Sequence, residues 1–191
     1  MRFVDLTQKA ERLSCRSPLF FKLTTSYYTS MVFREIQCAG ITKTDHVLCV
    51  GGGPCPYSAL LIYSMTGAKV TVIDNDESSV RCSQKLLERE GVADKITVLH
   101  QDGLSLDPSG FSVIHIAAQI TPKEDVFRSL WENSDNGCVI LMRLPKKELK
   151  KLYVQRKTST FAQFMEDVPR PVEKVKHGLF GNVGSTSLYI K

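Results

Sequence analysis

Three consecutive glycines, Gly51, Gly52 and Gly53, follow a short apolar segment and lead into Pro54. Glycine has no Cβ, so such a run can turn sharply and let a ligand approach the backbone closely. The N–H groups at the start of a following helix attract a polar or anionic group. The run therefore predicts a ligand-binding loop between a strand and a helix, with an ordinary strand-to-helix turn as the alternative.

Two carboxylates follow the glycines at the end of the next apolar segment, Lys69 to Ile73. An acidic side chain at the end of the second strand accepts hydrogen bonds from ribose hydroxyls. Asp74, with Asn75 beside it, is therefore predicted to bind a nucleoside. Asp76 is predicted to be the N-cap of the following helix, and a capping role is also the alternative for Asp74.

Asp102 and Gly103 follow the third apolar segment, 96–99. Loops at the carboxyl ends of parallel strands line the ligand crevice of this kind of sheet. Asp102 is predicted to bind the adenine amino group, with apolar neighbours on the two faces of the ring. Asp followed by Gly is equally typical of a turn, and both interpretations can hold together.

Apolar segments of strand length alternate with segments of helical periodicity from Asp45 onward. This alternation predicts a doubly wound, mostly parallel α/β sheet of Rossmann-like architecture with seven strands. The last two strands, 172–176 and 185–190, are joined by a glycine-rich loop and predict a C-terminal antiparallel hairpin. We expect one compact unit, residues 45–191, preceded by N-terminal helices in residues 1–44 that form a cap over the substrate. The predicted strands before the hairpin are 46–50, 69–73, 96–99, 111–116 and 138–142, and the predicted helices are 24–38, 57–65, 77–90 and 123–131.

The composition, 191 residues with 42 % apolar and 24 % charged side chains, is typical of one globular domain. No apolar run is long enough to span a membrane and no secretory signal is evident, so a cytoplasmic location is expected. The six cysteines form no C-x-x-C pair, which favours neither a zinc site nor a disulfide framework. Residues 143–157 carry a net charge of +6, which indicates a solvated helix face or contact with nucleic acid.

Together these features resemble the class I S-adenosylmethionine-dependent methyltransferases. The usual glycine loop of that class has an acidic residue where Cys49 stands and a glycine where Cys55 stands. The Gly-Gly-Gly-Pro-Cys-Pro sequence is more similar to the loop of nicotianamine synthase and its relatives. Three other segments agree with that branch: the paired Tyr27 and Tyr28, the apolar segment ending in Ala117, Ala118 and Gln119, and the fifth strand ending in Arg143.

The resemblance implies S-adenosylmethionine as the cofactor, held by the glycine loop, Asp74, Asn75, Asp102, Gly103, Ala117 and Gln119. The function it favours is methyl transfer to a small-molecule acceptor. Aminocarboxypropyl transfer to an amine, RNA methylation through the basic segment, and a non-catalytic nucleoside-binding module are the alternatives. The oligomeric state stays open, a homodimer included.

The resemblance also implies the residues of the acceptor side. Nicotianamine synthases use a glutamate of the N-terminal helix as a general base, and Glu35 is the candidate here. Glu35 and Tyr28 are predicted to be catalytic, and Tyr27, His115 and Arg143 to bind the substrate. Packing is the alternative for both tyrosines, and a hydrogen-bonded core histidine is the alternative for His115. No metal site is expected.

Overall fold

The computed structural model describes residues 18–149, 170–178 and 181–191. Its centre is a seven-stranded sheet in the order β3-β2-β1-β4-β5-β7-β6. Strands β1 to β5 are parallel, β7 is antiparallel to β5, and β6 is antiparallel to β7. The predicted Rossmann-like sheet and its terminal antiparallel hairpin are therefore confirmed. The strands are β1 (His46–Val50), β2 (Lys69–Asp74), β3 (Ile96–His100), β4 (Val113–Ile116), β5 (Val139–Pro145), β6 (Glu173–Lys176) and β7 (Val183–Ile190).

Four α-helices accompany the sheet in the described residues. They are α1 (Pro18–Ala39), α2 (Tyr57–Thr66), α3 (Glu77–Arg89) and α4 (Lys123–Asn133), with a short 3₁₀ helix at Lys147–Leu149. Helix α1 extends at least six residues beyond the predicted start at residue 24 and is described from Pro18. Residues 1–17 of the predicted N-terminal cap lie outside the described residues.

The sheet is buried on both faces, as is usual for parallel strands. On one face Val32 and Ile36 of α1 belong to the same apolar cluster as β1 residues and residues of α2 and α3. On the other face Phe127 and Leu130 of α4 are fully buried against β1, β4 and β5. Helix α1 thus packs directly on the sheet.

Strand β1 lies between β2 and β4. The chain runs from β1 through β2 to β3 at one edge of the sheet and then returns to β4 on the other side of β1, so the direction of the strand order reverses between β1 and β4. In open α/β sheets a ligand crevice forms at such a switch point, outside the carboxyl ends of the strands. The carboxyl end of β1 leads directly into the glycine run. The end of β4 is joined to it by a hydrogen bond from Ala117 N to Val50 O of 3.1 Å.

The cysteine spacing does not indicate a disulfide, but the structure contains one, at Cys55. Cys55 is disulfide-bonded, whereas Cys38, Cys49, Cys82 and Cys138 are free thiols. Sequence spacing says little about thiols that only tertiary packing brings together. In the part of the chain that the structure describes, no helix is long and apolar enough to cross a membrane.

The turn before β7 depends on a glycine. Gly181 has a φ of +92°, and a Cβ at this position would overlap the phenol of Tyr27 in α1. We expect Gly181→Ala to lower the free energy of unfolding in urea by about 2–4 kcal/mol, since it combines an unfavourable φ with a clash. Gly110→Ala is the matched control, with a φ of +78° and no atom within 4 Å. It should cost about 1 kcal/mol. Equal losses in the two variants would contradict the contact between α1 and this turn.

Candidate functional site

The glycine loop is tied to the end of β2 through all three of its amides. Gly51 N and Gly52 N donate to Ile73 O at 2.9 and 3.2 Å, and Gly53 N donates to Asp74 Oδ2 at 2.7 Å. From the other side, Ser83 Oγ of α3 donates to Gly53 O at 2.6 Å. All three glycine N–H groups are therefore hydrogen-bonded within the protein, and the surface that the loop offers to a ligand consists of its Cα atoms.

Packing against the protein also requires glycine at two of these positions. A Cβ on Gly52 would overlap Val72 of β2. A Cβ on Gly51, whose φ is +80°, would overlap the end of Ile120 and lie 3.4 Å from the Cβ of Ala117. The glycines thus let the loop lie flat between β2 and the segment that follows β4.

Asp74 is the last residue of β2, and both of its carboxylate oxygens accept backbone hydrogen bonds, one of them from the glycine loop. Oδ2 accepts from Gly53 N, and Oδ1 accepts from Asp76 N at 2.9 Å. Burial raises the pKa of Asp74, and the two amides partly offset this. Each oxygen of a carboxylate has a second acceptor position, so two remain for other donors. Asp76 caps α3 by accepting from Ser78 N at 3.1 Å, as the sequence predicts.

Asp102 lies in a tight turn after β3, with Oδ1 accepting from Leu104 N at 3.0 Å. The turn interpretation of Asp102 is therefore present in the fold. Its side chain is exposed, and so are those of Leu99 and Leu104, which are 44 % and 41 % accessible. Asn75 is exposed as well, and its carbonyl is 3.1 Å from His100 Nε2. The predicted cofactor residues thus follow the carboxyl ends of β1 to β4.

A second group of polar side chains is buried between α1 and the sheet. Glu35 of α1 is 1 % exposed and Arg143 of β5 is 4 % exposed. They form a bidentate ion pair, with Arg143 Nε donating to Oε1 at 2.9 Å and Nη2 donating to Oε2 at 2.7 Å. Arg143 Nη1 donates to Ser58 Oγ at 2.9 Å, in the first turn of α2. The guanidinium therefore joins α1, β5 and the helix that follows the glycine loop.

Three further side chains surround the Glu35 carboxylate. Thr186 Oγ1 of β7 donates to Oε1 at 2.5 Å, and His177 Nε2 lies 2.8 Å from the same hydroxyl. His115 Nε2 of β4 lies 3.4 Å from Oε2 without hydrogen-bond geometry. We name this set the Glu35 cluster: Glu35, Ser58, His115, Arg143, His177 and Thr186.

The charges of the Glu35 cluster are set by burial and by Arg143. Burial alone would raise the pKa of Glu35, but the charge and hydrogen bonds of Arg143 hold it well below its usual range. Burial lowers the pKa of His115 and of His177, and Arg143 adds to both effects. At neutral pH Glu35 is therefore ionised and both imidazoles are neutral. A carboxylate with so low a pKa is a weak general base.

Tyr27 and Tyr28 of α1 pack beside the Glu35 cluster. The Arg143 guanidinium lies 5.7 Å from the ring centroid of Tyr28, a cation–π contact, and Tyr28 stacks on Tyr57 with centroids 5.2 Å apart. Tyr27 packs edge-on against Tyr28 at 5.1 Å and hydrogen-bonds the backbone of Asn182 and Val183. Packing is thus at least part of the role of both tyrosines.

Lys123 at the start of α4 joins the carboxyl ends of β4 and β5 through two hydrogen bonds. Its Nζ donates to Ala118 O at 2.6 Å and to Arg143 O at 2.9 Å. Burial lowers the pKa of this lysine to about 7. These two hydrogen bonds fix the position of the segment that carries Ala117 and Gln119 relative to Arg143.

All five acceptor-side residues predicted from the sequence lie together around this cluster: Tyr27, Tyr28, Glu35, His115 and Arg143. The sequence did not indicate three other members of the cluster, Ser58, His177 and Thr186, or Lys123, which donates to the backbone carbonyl of Arg143. None of the four stands in a motif. Thr186 reaches the cluster through the pairing of β5 with β7, His177 through the pairing of β6 with β7, and Ser58 and Lys123 through the packing of a helix end. Among the described residues, no group of acidic, histidine or cysteine side chains has an arrangement that could hold a metal ion.

The sequence matches no protein-family model and no curated protein. Solved structures do resemble the fold. A mutant of the nicotianamine synthase MtNAS in complex with S-adenosylmethionine superposes with a TM-score of 0.80 at 21 % identity, over 98 % of this chain and 74 % of that one. A putative S-adenosylmethionine-dependent methyltransferase from Methanococcus maripaludis gives 0.72 at 13 % identity, over 96 % and 93 % of the two chains.

An RNA methyltransferase from Salinibacter ruber in complex with S-adenosylhomocysteine gives a TM-score of 0.62 at 17 % identity, over 84 % of this chain and 90 % of that one. The chain therefore has the class I methyltransferase fold, and the resemblance read from the sequence is confirmed at the level of the fold.

The buried ion pair makes a prediction about stability. Glu35→Gln leaves the Arg143 charge buried without its counter-ion, which should lower the free energy of unfolding by about 3–5 kcal/mol at pH 7. Glu77→Gln is the control, because Glu77 pairs with Arg81 on the surface, where the two side chains are 63 % and 58 % exposed. It should cost about 0.5 kcal/mol or less. Similar losses in urea unfolding would rule out a stabilising role for the buried pair.

The same pair predicts a pH dependence. Because the folded-state pKa of Glu35 lies below the ordinary value of 4.5, its stabilisation is complete above pH 4.5 and is lost as the pH falls through the lower value. The difference between wild type and Glu35→Gln should therefore be constant from pH 7 to pH 5 and shrink below pH 4.5. A difference that already shrinks near pH 6 would contradict this assignment.

Proposed function

We propose that this protein binds S-adenosylmethionine and transfers its methyl group to a small-molecule acceptor. The observation that carries the proposal is the bonding of the glycine loop. A dinucleotide-binding loop holds pyrophosphate on free backbone amides, but here all three glycine amides are bonded to Ile73 and Asp74. Pro54 and Pro56, which follow, have no N–H to offer. Such a loop suits a nucleoside that has no phosphate, and S-adenosylmethionine is one.

The residues at the carboxyl ends of the strands fit the parts of that cofactor. Asp74 has two acceptor positions left for ribose hydroxyls, and Asp102 with the exposed Leu99 and Leu104 is suited to an adenine ring. The loop of Gly51 to Gly53 would lie against the ligand, with Ala117 and Gln119 alongside. When bound, the cofactor supplies a sulfonium whose carbon–sulfur bond breaks on attack by a nucleophile.

The Glu35 cluster is proposed as the acceptor side of the site. The hydrogen bond from Arg143 to Ser58 joins it to the helix that follows the glycine loop, and α1 covers it as part of the proposed cap, residues 1–44. Tyr27, Tyr28, Glu35, His115 and Arg143 would position the acceptor. Holding two reactants in line can supply several kcal/mol of the barrier. In the geometry described, Glu35 acts through its charge, because Arg143 occupies both of its oxygens.

Aminocarboxypropyl transfer to an amine is the second candidate. The observation that favours it is the similarity to MtNAS, whose complexes with S-adenosylmethionine and with MTA and tNA give TM-scores of 0.80 and 0.79 over 98 % of this chain. These values exceed that for the Methanococcus maripaludis methyltransferase. RNA methylation has less support, since Arg143 of the basic segment is buried in the Glu35 cluster and residues 150–157 lie outside the described part.

Calorimetry followed by product analysis tests the proposal. The protein is titrated with S-adenosylmethionine and, separately, with NAD, and is then incubated with S-adenosylmethionine and a panel of amines, amino acids and cell extract. We expect binding of S-adenosylmethionine alone and accumulation of S-adenosylhomocysteine. Methylthioadenosine as the product would select the second candidate. Binding of NAD without S-adenosylmethionine would overturn the proposal for both.

Asp74→Asn is a sharper test of the cofactor site. Asparagine keeps one acceptor oxygen for the loop but removes the charge and the other acceptor oxygen, so the Kd for S-adenosylmethionine should rise about 5- to 150-fold, which corresponds to about 1–3 kcal/mol. Asp107→Asn is the control, because Asp107 is an exposed loop carboxylate that accepts from Ser109 N. The melting temperature of each free variant shows whether the loop survives. An unchanged Kd in a folded Asp74→Asn variant would refute the ribose assignment.

A further inference from the structure

We propose that His177 is the proton acceptor of the transfer reaction, and that Thr186 and Glu35 hold its imidazole in the reactive tautomer. The inference rests on the proposed function, because it assigns a catalytic base to the acceptor side of that site. It differs from the expectation drawn from sequence, which gives this role to Glu35.

The polarity of the hydrogen bonds fixes the tautomer. Ionised Glu35 can only accept, so the single hydroxyl proton of Thr186 is donated to Oε1. Thr186 Oγ1 can then only accept from His177 Nε2, which lies 2.8 Å away. Nε2 therefore carries the proton, and Nδ1 of the neutral imidazole carries the lone pair.

The lone pair of His177 Nδ1 accepts no hydrogen bond from the described residues. Nδ1 is buried and has no hydrogen-bond partner there, although the His177 side chain is only 4 % exposed. Buried polar atoms are almost always hydrogen-bonded, and an exception calls for an explanation such as a catalytic role. An acceptor molecule that presents an N–H or O–H group would supply the missing partner. His177 N is bonded to Gly184 O at 3.0 Å, which anchors its backbone beside β7.

The charged groups around His177 suit a base at neutral pH. Burial lowers its pKa; the nearby Glu35 opposes this, while Arg143, Arg34 and His115 reinforce it. The imidazole is therefore neutral before the reaction and able to accept a proton. After it has done so, the carboxylate of Glu35, 3.7 Å from Nε2, stabilises the imidazolium. In a catalytic triad, too, a carboxylate orients the imidazole base and stabilises its protonated form.

Two other side chains of the Glu35 cluster could accept a proton, and both are less suited. Both oxygens of Glu35 accept from Arg143. His115 Nε2 is also buried without a hydrogen bond, but it lies 3.4 Å from Glu35 Oε2, so that nitrogen faces the carboxylate. In the proposed step the acceptor's heteroatom bonds the transferred carbon and its proton passes to His177 Nδ1. The electrons of the broken carbon–sulfur bond stay on sulfur, which becomes a neutral thioether, and the positive charge ends on the imidazole.

Nitrogen-15 NMR of the histidine side chains tests the tautomer without any acceptor. The wild-type protein should show His177 as the Nε2–H tautomer, titrating below the ordinary histidine pKa, and Thr186→Val should disturb this state while Thr186→Ser preserves it. The signals are assigned with His177→Gln. A His177 that is protonated on Nδ1 at pH 7 would overturn the inference.

Kinetics with the acceptor found in the panel test the role. His177→Gln should lower kcat about 10²- to 10⁴-fold and remove the fall of kcat at low pH, while the Kd for S-adenosylmethionine changes less than about twofold. Thr186→Val should lower kcat and Thr186→Ser should restore it. A His177→Gln variant that keeps the wild-type kcat and pH profile would overturn the inference. A wild-type protein that neither binds nor consumes S-adenosylmethionine would instead overturn the proposed function.

Discussion

The ion pair between Glu35 and Arg143 joins α1 to β5, and the further hydrogen bonds of the two side chains reach β7 and the start of α2. Burying two charges is costly, and the cost is recovered only where the remaining donors and acceptors are also satisfied. Here Arg143 donates to Glu35 twice and to Ser58 once, and Thr186 donates to the carboxylate from the neighbouring strand. Helix α1, the C-terminal hairpin and the start of α2 must therefore hold their relative positions for the pair to be satisfied.

The glycine loop, which follows the carboxyl end of β1, is also held by hydrogen bonds within the protein. Its three amides and the Gly53 carbonyl are bonded to β2 and to α3, so the loop is held before any ligand arrives. A preorganised loop loses little freedom on binding. The same bonding removes the free amides that a phosphate would need. The hydrogen-bond pattern of the loop thus distinguishes two ligand classes that a glycine-rich sequence leaves open.

The two sites are coupled through short covalent and hydrogen-bonded paths. Ser58 follows the glycine loop by a few residues and accepts from Arg143, and Lys123 ties the Arg143 carbonyl to that of Ala118 beside the loop. A nucleoside on the loop and an acceptor beside the Glu35 cluster would therefore share one rigid frame. Such a frame suits a transfer reaction, in which the main contribution of the protein is to align two reactants.

Local patterns were sufficient for the strand–helix alternation, the terminal hairpin and the capping role of Asp76, because periodicity and turn residues act within a few positions of the chain. They also indicated Glu35, Tyr28 and Arg143, through a family resemblance. The bonds that give these residues their chemistry join positions as far apart as Glu35 and Thr186, and no local pattern encodes them. The charge of Glu35 is balanced by Arg143 because α1 packs across β5. His177 is left with an unbonded nitrogen at a place that the pairing of β6 with β7 determines. The pKa of a buried group is set by its neighbours in space, which is why the sequence could name the carboxylate while the folded chain determined how basic it is.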